Sequence, residues 1–206
     1  MFKFYQKHIF PPILNQVMQT ASLMDARREL LLPLQGNVLE VGFGTGINLA
    51  FYSNVDTLYA LEPSHAVFKL AQQRLTQAPY EVRHLAMGAE QIPLADHSID
   101  NIVSTWTLCS IAKLEQALAE IHRVLAPRGT FHLVEHVLSD QPKIQRWQNL
   151  LNPIQKQVAD GCHLNRNIEH ALNQAGFAFL EKKYFIADGI PKIGQRMLLA
   201  RVQKTV

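Results

Sequence analysis

A short apolar run, Val38 to Val41, leads directly into glycines at positions 42, 44 and 46, with an acid, Glu40, two residues before the first of them. Alternate glycines let the backbone turn tightly and come close to a ligand, because no Cβ stands in the way. The next residues, Ile47 to Tyr52, suit a helix start, and the first turn of a helix presents unpaired N–H groups that seat a carboxylate. Strand, glycine turn and helix in that order form the first crossing of an open α/β sheet, where ligands bind beyond the strand ends. Spacing narrows the ligand. A dinucleotide fingerprint, G-x-G-x-x-G/A, needs a third small residue to pack helix on strand. Counted from Gly42 and Gly44, that position is Ile47, which is bulky.

The alternation continues along the chain. Further strands are expected at Thr57 to Leu61, Tyr80 to Ala86, Ile99 to Thr105 and Thr130 to Glu135, with two more in tandem at Phe177 to Ala187 and Arg196 to Val202. Between them, Ser64 caps a helix carrying Val67, Leu70, Ala71 and Leu75, and Leu114, Leu118, Ile121 and Leu125 form one helical stripe ending before Pro127. Residues 140 to 158 read as helical with a break near Pro153, and Asn167 to Ala175 as a short helix stopped by Gly176. The pattern predicts an α/β fold: a Rossmann-like, doubly wound, seven-stranded sheet with an antiparallel strand in the C-terminal hairpin. The 206 residues suit one domain, with residues 1–35 as a helical lid over the strand ends and residues 36–206 as the core.

Composition removes several classes. With 48% hydrophobic and 18% charged residues the chain is not disordered, and a net charge of +3 without a Lys/Arg run implies no nucleic-acid partner. Two cysteines, Cys109 and Cys162, make neither a disulfide framework nor a zinc ribbon and point to a reducing compartment. No apolar stretch approaches the roughly 18 residues that span a bilayer, and the N-terminus lacks a signal-peptide core. The expectation is a cytoplasmic protein without stable membrane insertion and without a metal site.

Two more segments belong with the glycine loop. Glu62 closes the second strand, 62 − 42 = 20 residues after Gly42, where an acid accepts hydrogen bonds from ribose hydroxyls. The third, Gly88 to Asp96, leads into the fourth strand. An E-x-G-x-G-x-G loop with these partners resembles the class I S-adenosylmethionine-dependent methyltransferases of the type 11 group. From Arg27 to the C-terminus the chain is most similar to the methyltransferase-like thiol S-methyltransferases. Arg28 to Leu30, Thr107 to Ser110, Glu135 to Val137 and, most specifically, Asp160 to Arg166 carry that finer likeness.

The resemblance implies S-adenosyl-L-methionine as cofactor and a small-molecule methyl acceptor, a thiol being favoured. It implies a methionine-moiety loop of Glu40, Gly42, Gly44 and Gly46, a ribose site of Glu62 and Pro63, and an adenine site flanked by Ala89 and Glu90, with Thr105 also on the cofactor. Many relatives have Asp just before the Ala–Glu pair; here Gly88 stands there, so Glu90 or backbone takes over the adenine amino contact. Animal thiol enzymes carry an N-terminal membrane anchor; in this chain Phe2, Phe4, Ile9, Phe10, Ile13 and Leu14 are expected to pack within the protein.

A sulfonium donates methyl readily, so the enzyme mostly aligns the acceptor and excludes water. His136, at the end of the fifth strand, is the expected catalytic helper, with a wall position as its alternative. Trp106 and Thr107 are expected on the pocket floor, Cys109 as a small buried hydrophobe, Asp160 as a turn residue bonded to backbone N–H groups, and Arg166 against an acidic substrate or Glu169. A lipid or quinone acceptor at a membrane surface is the rival within the class. Outside it stand an NAD(P)-dependent oxidoreductase, which lacks a Tyr-x-x-x-Lys pair here, and a non-catalytic adenosyl-binding module.

Overall fold

Alternation of buried β-rich runs with one-sided helices fixes the architecture seen in the computed structural model, which describes residues 17–205. In chain order the elements are α1 (Ala21–Leu31), β1 (Gln35–Val41), a 3₁₀ turn (Ile47–Phe51), β2 (Asn54–Leu61), α2 (His65–Lys69), α3 (Gln72–Leu75), β3 (Glu81–Leu85) and β4 (Ile99–Thr105). Then follow α4 (Leu114–Val124), β5 (Leu125–His136), α5 (Pro142–Val158), α6 (Ile168–Gln174), β6 (Phe177–Ile186) and β7 (Arg196–Lys204). The seven strands form one sheet in the order β3-β2-β1-β4-β5-β7-β6. The first five are parallel, and β7 is antiparallel to both β5 and β6. Strand order reverses between β1 and β4, so the tips of these two strands bound the crevice that this topology offers a ligand.

Each sheet face has its own core. One face packs Leu39, Ile102 and Leu133 against Leu118 and Ile121 of α4 and Leu172 of α6. The other packs Val38, Val103, Val134 and Leu199 against Leu23, Leu30 and Leu31 of α1 and against Leu49 and Phe51 of the 3₁₀ turn. The described part of the expected N-terminal lid, α1, lies on a sheet face and reaches the tip end through Arg27, which bonds Asn48, and through Ser22, which bonds Asp188 after β6; the six apolar residues from Phe2 to Leu14 lie outside the described residues.

Four local expectations differ from the structure. The one helix expected after Ser64 is two short helices, α2 and α3, parted at Leu70 and Ala71. The stretch after the glycines is a 3₁₀ turn, not an α-helix start, so it offers little helix dipole. No break occurs at Pro153: α5 runs through it, with the proline on the exposed side, where the carbonyl it frees faces solvent. And β5 begins at Leu125 rather than Thr130. Ile99 pairs with Leu125 and Asn101 with Thr130, so the turn around Pro127 is absorbed as a bulge opposite Asp100.

Candidate active site

The glycine loop is held to the tip of β2. Gly42 and Phe43 donate to the Leu61 carbonyl at 2.9 and 3.1 Å, and Gly44 donates to Glu62 Oε2 at 3.0 Å. Glycines 42, 44 and 46 all have φ near +60° to +73°, the left-handed region. Their surroundings differ. A Cβ at Gly42 would stand 2.2 Å from Thr107 Oγ1, so that glycine lets the β1 and β4 tips close on each other. Among the described residues a Cβ at Gly44 would meet only the Gly42 carbonyl, at 3.8 Å. The space in front of Gly44 is therefore a cradle on the crevice side.

Glu62 lies at the heart of this cradle. Its second oxygen, Oε1, accepts from the Ser64 N–H at 2.9 Å, and its carbonyl accepts from His84 Nε2, also at 2.9 Å. A carboxylate has about four acceptor positions, so two backbone bonds leave room for a diol. Burial raises its pKa above the usual carboxylate range, against the two backbone N–H groups that lower it. Pro63 follows on the exposed side. Ala89 is buried. The carboxylate of Glu90 fills the place where Gly88 has no side chain: a Cβ there would be 2.7 Å from Glu90 Oε2.

Glu40 lies beneath the loop rather than in the crevice. It accepts from Asn48 Nδ2 at 2.9 Å and from the Tyr52 hydroxyl at 2.8 Å. Asn48 Nδ2 also donates to Thr105 Oγ1 at 3.0 Å, and Asn48 Oδ1 accepts from Arg27 Nε at 2.8 Å. Burial pushes Glu40 up to about 7 and Arg27 down to about 10. The chain Arg27–Asn48–Glu40–Tyr52 ties α1, β1 and the 3₁₀ turn together, and its polar members were not legible as a group in the sequence.

At the tip of β5 a second buried acid does similar work. Glu135 Oε1 accepts from Ser104 Oγ and Thr107 N, both at 2.8 Å, and from Leu108 N at 3.0 Å, which fixes the loop after β4. Its other oxygen has no protein partner among the described residues. An acid inside the apolar run from Phe131 to Val137 is the one sequence signal that marks it.

His136 is buried, with both ring nitrogens engaged. Nδ1 accepts from Trp106 Nε1 at 2.6 Å, and Nε2 donates to the His163 carbonyl at 2.9 Å. Burial alone would lower this imidazole, but Cys162, Glu135 and the His163 carbonyl carry it above its ordinary value. Trp106 itself sits at φ +59°, a strained conformation for a bulky residue and one that aims the indole at His136. Arg166 donates to the Leu108 carbonyl, while Glu169 is taken by Lys182 and Tyr184, so of the two alternatives for Arg166 the pairing with Glu169 is not formed. A cavity of about 310 Å³ among Leu30, Gln35, His132 and Arg201 lies at the opposite end of the sheet and contains none of these groups.

A sheet reversing between β1 and β4, a glycine cradle and a carboxylate at the β2 tip make a nucleoside-binding crevice, and the comparisons identify it as that of a class I S-adenosylmethionine-dependent methyltransferase. The methyltransferase-domain family matches residues 39–133. Human thiol S-methyltransferase TMT1A is 33% identical over 187 residues, 83% of this chain and 75% of that protein. Phosphatidylethanolamine N-methyltransferase of Cereibacter sphaeroides is 29% identical over 108 residues, about half of each chain. Among solved structures, Burkholderia thailandensis 1,6-didemethyltoxoflavin-N1-methyltransferase, determined with S-adenosylhomocysteine bound, superposes with a TM-score of 0.71 at 18% identity, covering 96% of this chain and 84% of that one.

The chain belongs to the type 11 group of class I methyltransferases, and within it to the family that holds the thiol S-methyltransferases, whose lengths it spans by 62% to 75%. It is a methyltransferase that takes its methyl group from S-adenosylmethionine and passes it to a small molecule. The open space at Gly44 and the spare acceptor positions of Glu62 fit that cofactor. No helix among the described residues is long and apolar enough to cross a membrane.

Proposed function

We propose that this enzyme methylates a thiol, with the cofactor lying across the tips of β1, β2 and the segment before β4. In this arrangement the backbone of the loop from Gly42 to Gly46 runs along its methionine part, with Gly44 open towards it and Gly42 and Gly46 packed behind, and Glu40 holds the loop from below. Glu62 and Pro63 take the ribose, Ala89 and Glu90 the adenine, and Thr105 stands on the floor between them. When bound, the cofactor supplies a methyl group on a positively charged sulfur that leaves as a neutral thioether. The chain's own task is to seat the acceptor in line and keep water out.

The observation that carries the choice of a thiol is the engagement of His136. Its Nδ1 is the only atom of that ring able to receive a proton, and it does so only when the Trp106 indole leaves it. Its neighbours hold the ring's pKa above its ordinary value, but the lone pair is covered by the indole, so it takes a proton only after that bond opens. A thiol, with a pKa near 8.5, is already partly ionised at neutral pH and asks for little help; an ammonium or phenol, near 10, asks for more. His136 serves as the helper that takes this proton. The free, buried state of both cysteines accords with a reducing, cytoplasmic setting.

The test is transfer of labelled methyl from S-adenosylmethionine to a simple alkyl thiol, an alkyl amine and a phenol offered in parallel. The expected product is the methyl thioether; label on the amine or phenol with none on the thiol overturns the assignment.

One observation favours a second reading, a lipid or quinone acceptor reached at a membrane surface. The helix α5 turns polar residues inward, with Gln148 buried, and leaves Trp147, Leu150 and Ile154 at 56%, 65% and 59% exposure. It also carries Lys143, Arg146 and Lys156 and no acid. A basic helix with an outward apolar face suits an anionic bilayer surface. Sedimentation with anionic vesicles, lost on Trp147→Ser, supports this reading; no sedimentation removes it.

A further inference from the structure

The fold brings the two cysteines of the sequence together. Cys109 sits in the loop after β4 and Cys162 in the turn after α5, with their Sγ atoms 3.5 Å apart and both free. The backbones around them are already joined. His163 N donates to the Cys109 carbonyl at 2.9 Å, His163 Nδ1 lies 3.1 Å from the same oxygen, and Arg166 holds the Leu108 carbonyl. His136 Nε2 stands 3.8 Å from Cys162 Sγ, and the three donor atoms all lie within 4.8 Å of one another.

Such a trio suggests either a metal ion or sulfur chemistry, and the hydrogen bonds decide. The Trp106 indole is a donor only, so Nδ1 of His136 is the acceptor and the ring proton sits on Nε2, directed at the His163 carbonyl and Cys162. That nitrogen has no lone pair to give a cation while these bonds stand. Two sulfurs alone fall short of the three or four ligands that a zinc ion takes. What remains is an N–H facing a sulfur, with a second sulfur in contact.

The two thiols are also unlike each other. Cys162 is 8% exposed and Cys109 1%. The hydrogen bond shared with Cys109 and the imidazole beside it hold Cys162 well below the ordinary thiol range, whereas burial pushes Cys109 up. A more acidic thiol nearer the surface beside a fully sheltered one is the division of labour between attacking and resolving cysteines.

We propose that Cys109 and Cys162 form a thiol–disulfide exchange site for low-molecular-weight disulfides, with Cys162 attacking and Cys109 resolving. The Cys162 thiolate attacks one sulfur of RSSR; a Cys162–SR bond forms, the S–S bond breaks and RS⁻ departs. The departing thiolate takes the Cys109 proton. Cys109 then attacks Cys162 Sγ, forming the protein disulfide and expelling a second RS⁻, which leaves as RSH on taking a proton from water. One disulfide is reduced to two thiols as the protein dithiol is oxidised, and excess thiol reverses the reaction. Closure brings the sulfurs from 3.5 Å to about 2.05 Å across backbones that are already neighbours. The site stands whatever the methyl acceptor is, because it rests on the cysteine pair alone.

The experiment exposes the reduced full-length chain, under native conditions, to glutathione disulfide or to bis(hydroxyethyl) disulfide, quenches with an alkylating agent, and maps the products by mass spectrometry. The expected result is one intramolecular Cys109–Cys162 link, protected from alkylation and reopened by dithiothreitol. Cys109→Ser should stop at the mixed disulfide on Cys162, and Cys162→Ser should slow adduct formation at Cys109 at least tenfold. Thiols that both remain alkylatable, adducts without a link, links only between chains, or a bound zinc ion that protects both thiols each overturn the proposal. The wild-type map alone decides it if a variant does not fold.

Discussion

Two glycines only two residues apart should respond to alanine in opposite ways. At Gly42 an added methyl would lie 2.2 to 2.8 Å from the Thr107 side chain, and φ is +72°. A left-handed L-residue costs about 1–2 kcal/mol and overpacking about 1–3, offset by about 0.4–1 from the stiffer unfolded chain. Gly42→Ala should therefore destabilise the fold by about 2–4 kcal/mol, a fall in Tm on the order of 5–15 °C for a chain of this size. At Gly44 φ is +60° but the nearest atom is 3.8 Å away, so only the backbone penalty applies, about 1 kcal/mol. Its methyl group stands in the cradle instead, and affinity for S-adenosylhomocysteine should fall at least about tenfold, or 1.4 kcal/mol. Thermal melts and calorimetric titration read both effects, and shortening Thr107 to glycine in the Gly42→Ala background should recover part of the lost stability. A Gly42→Ala protein as stable as wild type, or a Gly44→Ala protein with undiminished affinity, refutes the assignment of one glycine to packing and the other to the ligand.

Other outcomes follow from the same geometry. Glu62→Ala should weaken S-adenosylhomocysteine binding by about 1–3 kcal/mol, the scale of a lost hydrogen bond to a buried charge, and calorimetry measures it. His136→Ala should lower turnover much more than cofactor affinity; steady-state kinetics with normal turnover would return His136 to the wall. His132, buried with Nε2 3.0 Å from Asn101 Oδ1, has its pKa pushed down to about 4 by burial. The unfolded chain takes up that proton near pH 6.5 and the native chain only near 4, so this group's contribution is intact above 6.5 and is lost as pH falls towards 4. Urea midpoints from pH 7 to 4 should show wild type losing up to about 3 kcal/mol more than His132→Leu over that window.

Much of the fold was readable because it rests on short-range signals. Alternate glycines after an apolar run, an acid at the next strand end, and two tandem strands with no helix between them predict the crevice and the antiparallel hairpin without any long-range information. What escaped detection depends on partners far apart in sequence. Asn48 and Tyr52 look like part of a helix start, and only the fold shows that they join Arg27 to Glu40 beneath the loop. Arg166 has an acid three residues away but bonds a carbonyl 58 residues away. Cys109 and Cys162 give no spacing signal, since 53 residues separate them. Pro153 misled because a local rule about helix interiors takes no account of which side of the helix faces water.

A crystal structure of the chain grown with S-adenosylhomocysteine tests the central claim most directly. The account predicts the ribose hydroxyls on the Glu62 carboxylate, the homocysteine part against Gly44, and the adenine beside Ala89 and Glu90. A ligand bound elsewhere on the sheet, or crystals that never take it up at saturating concentration, would contradict it.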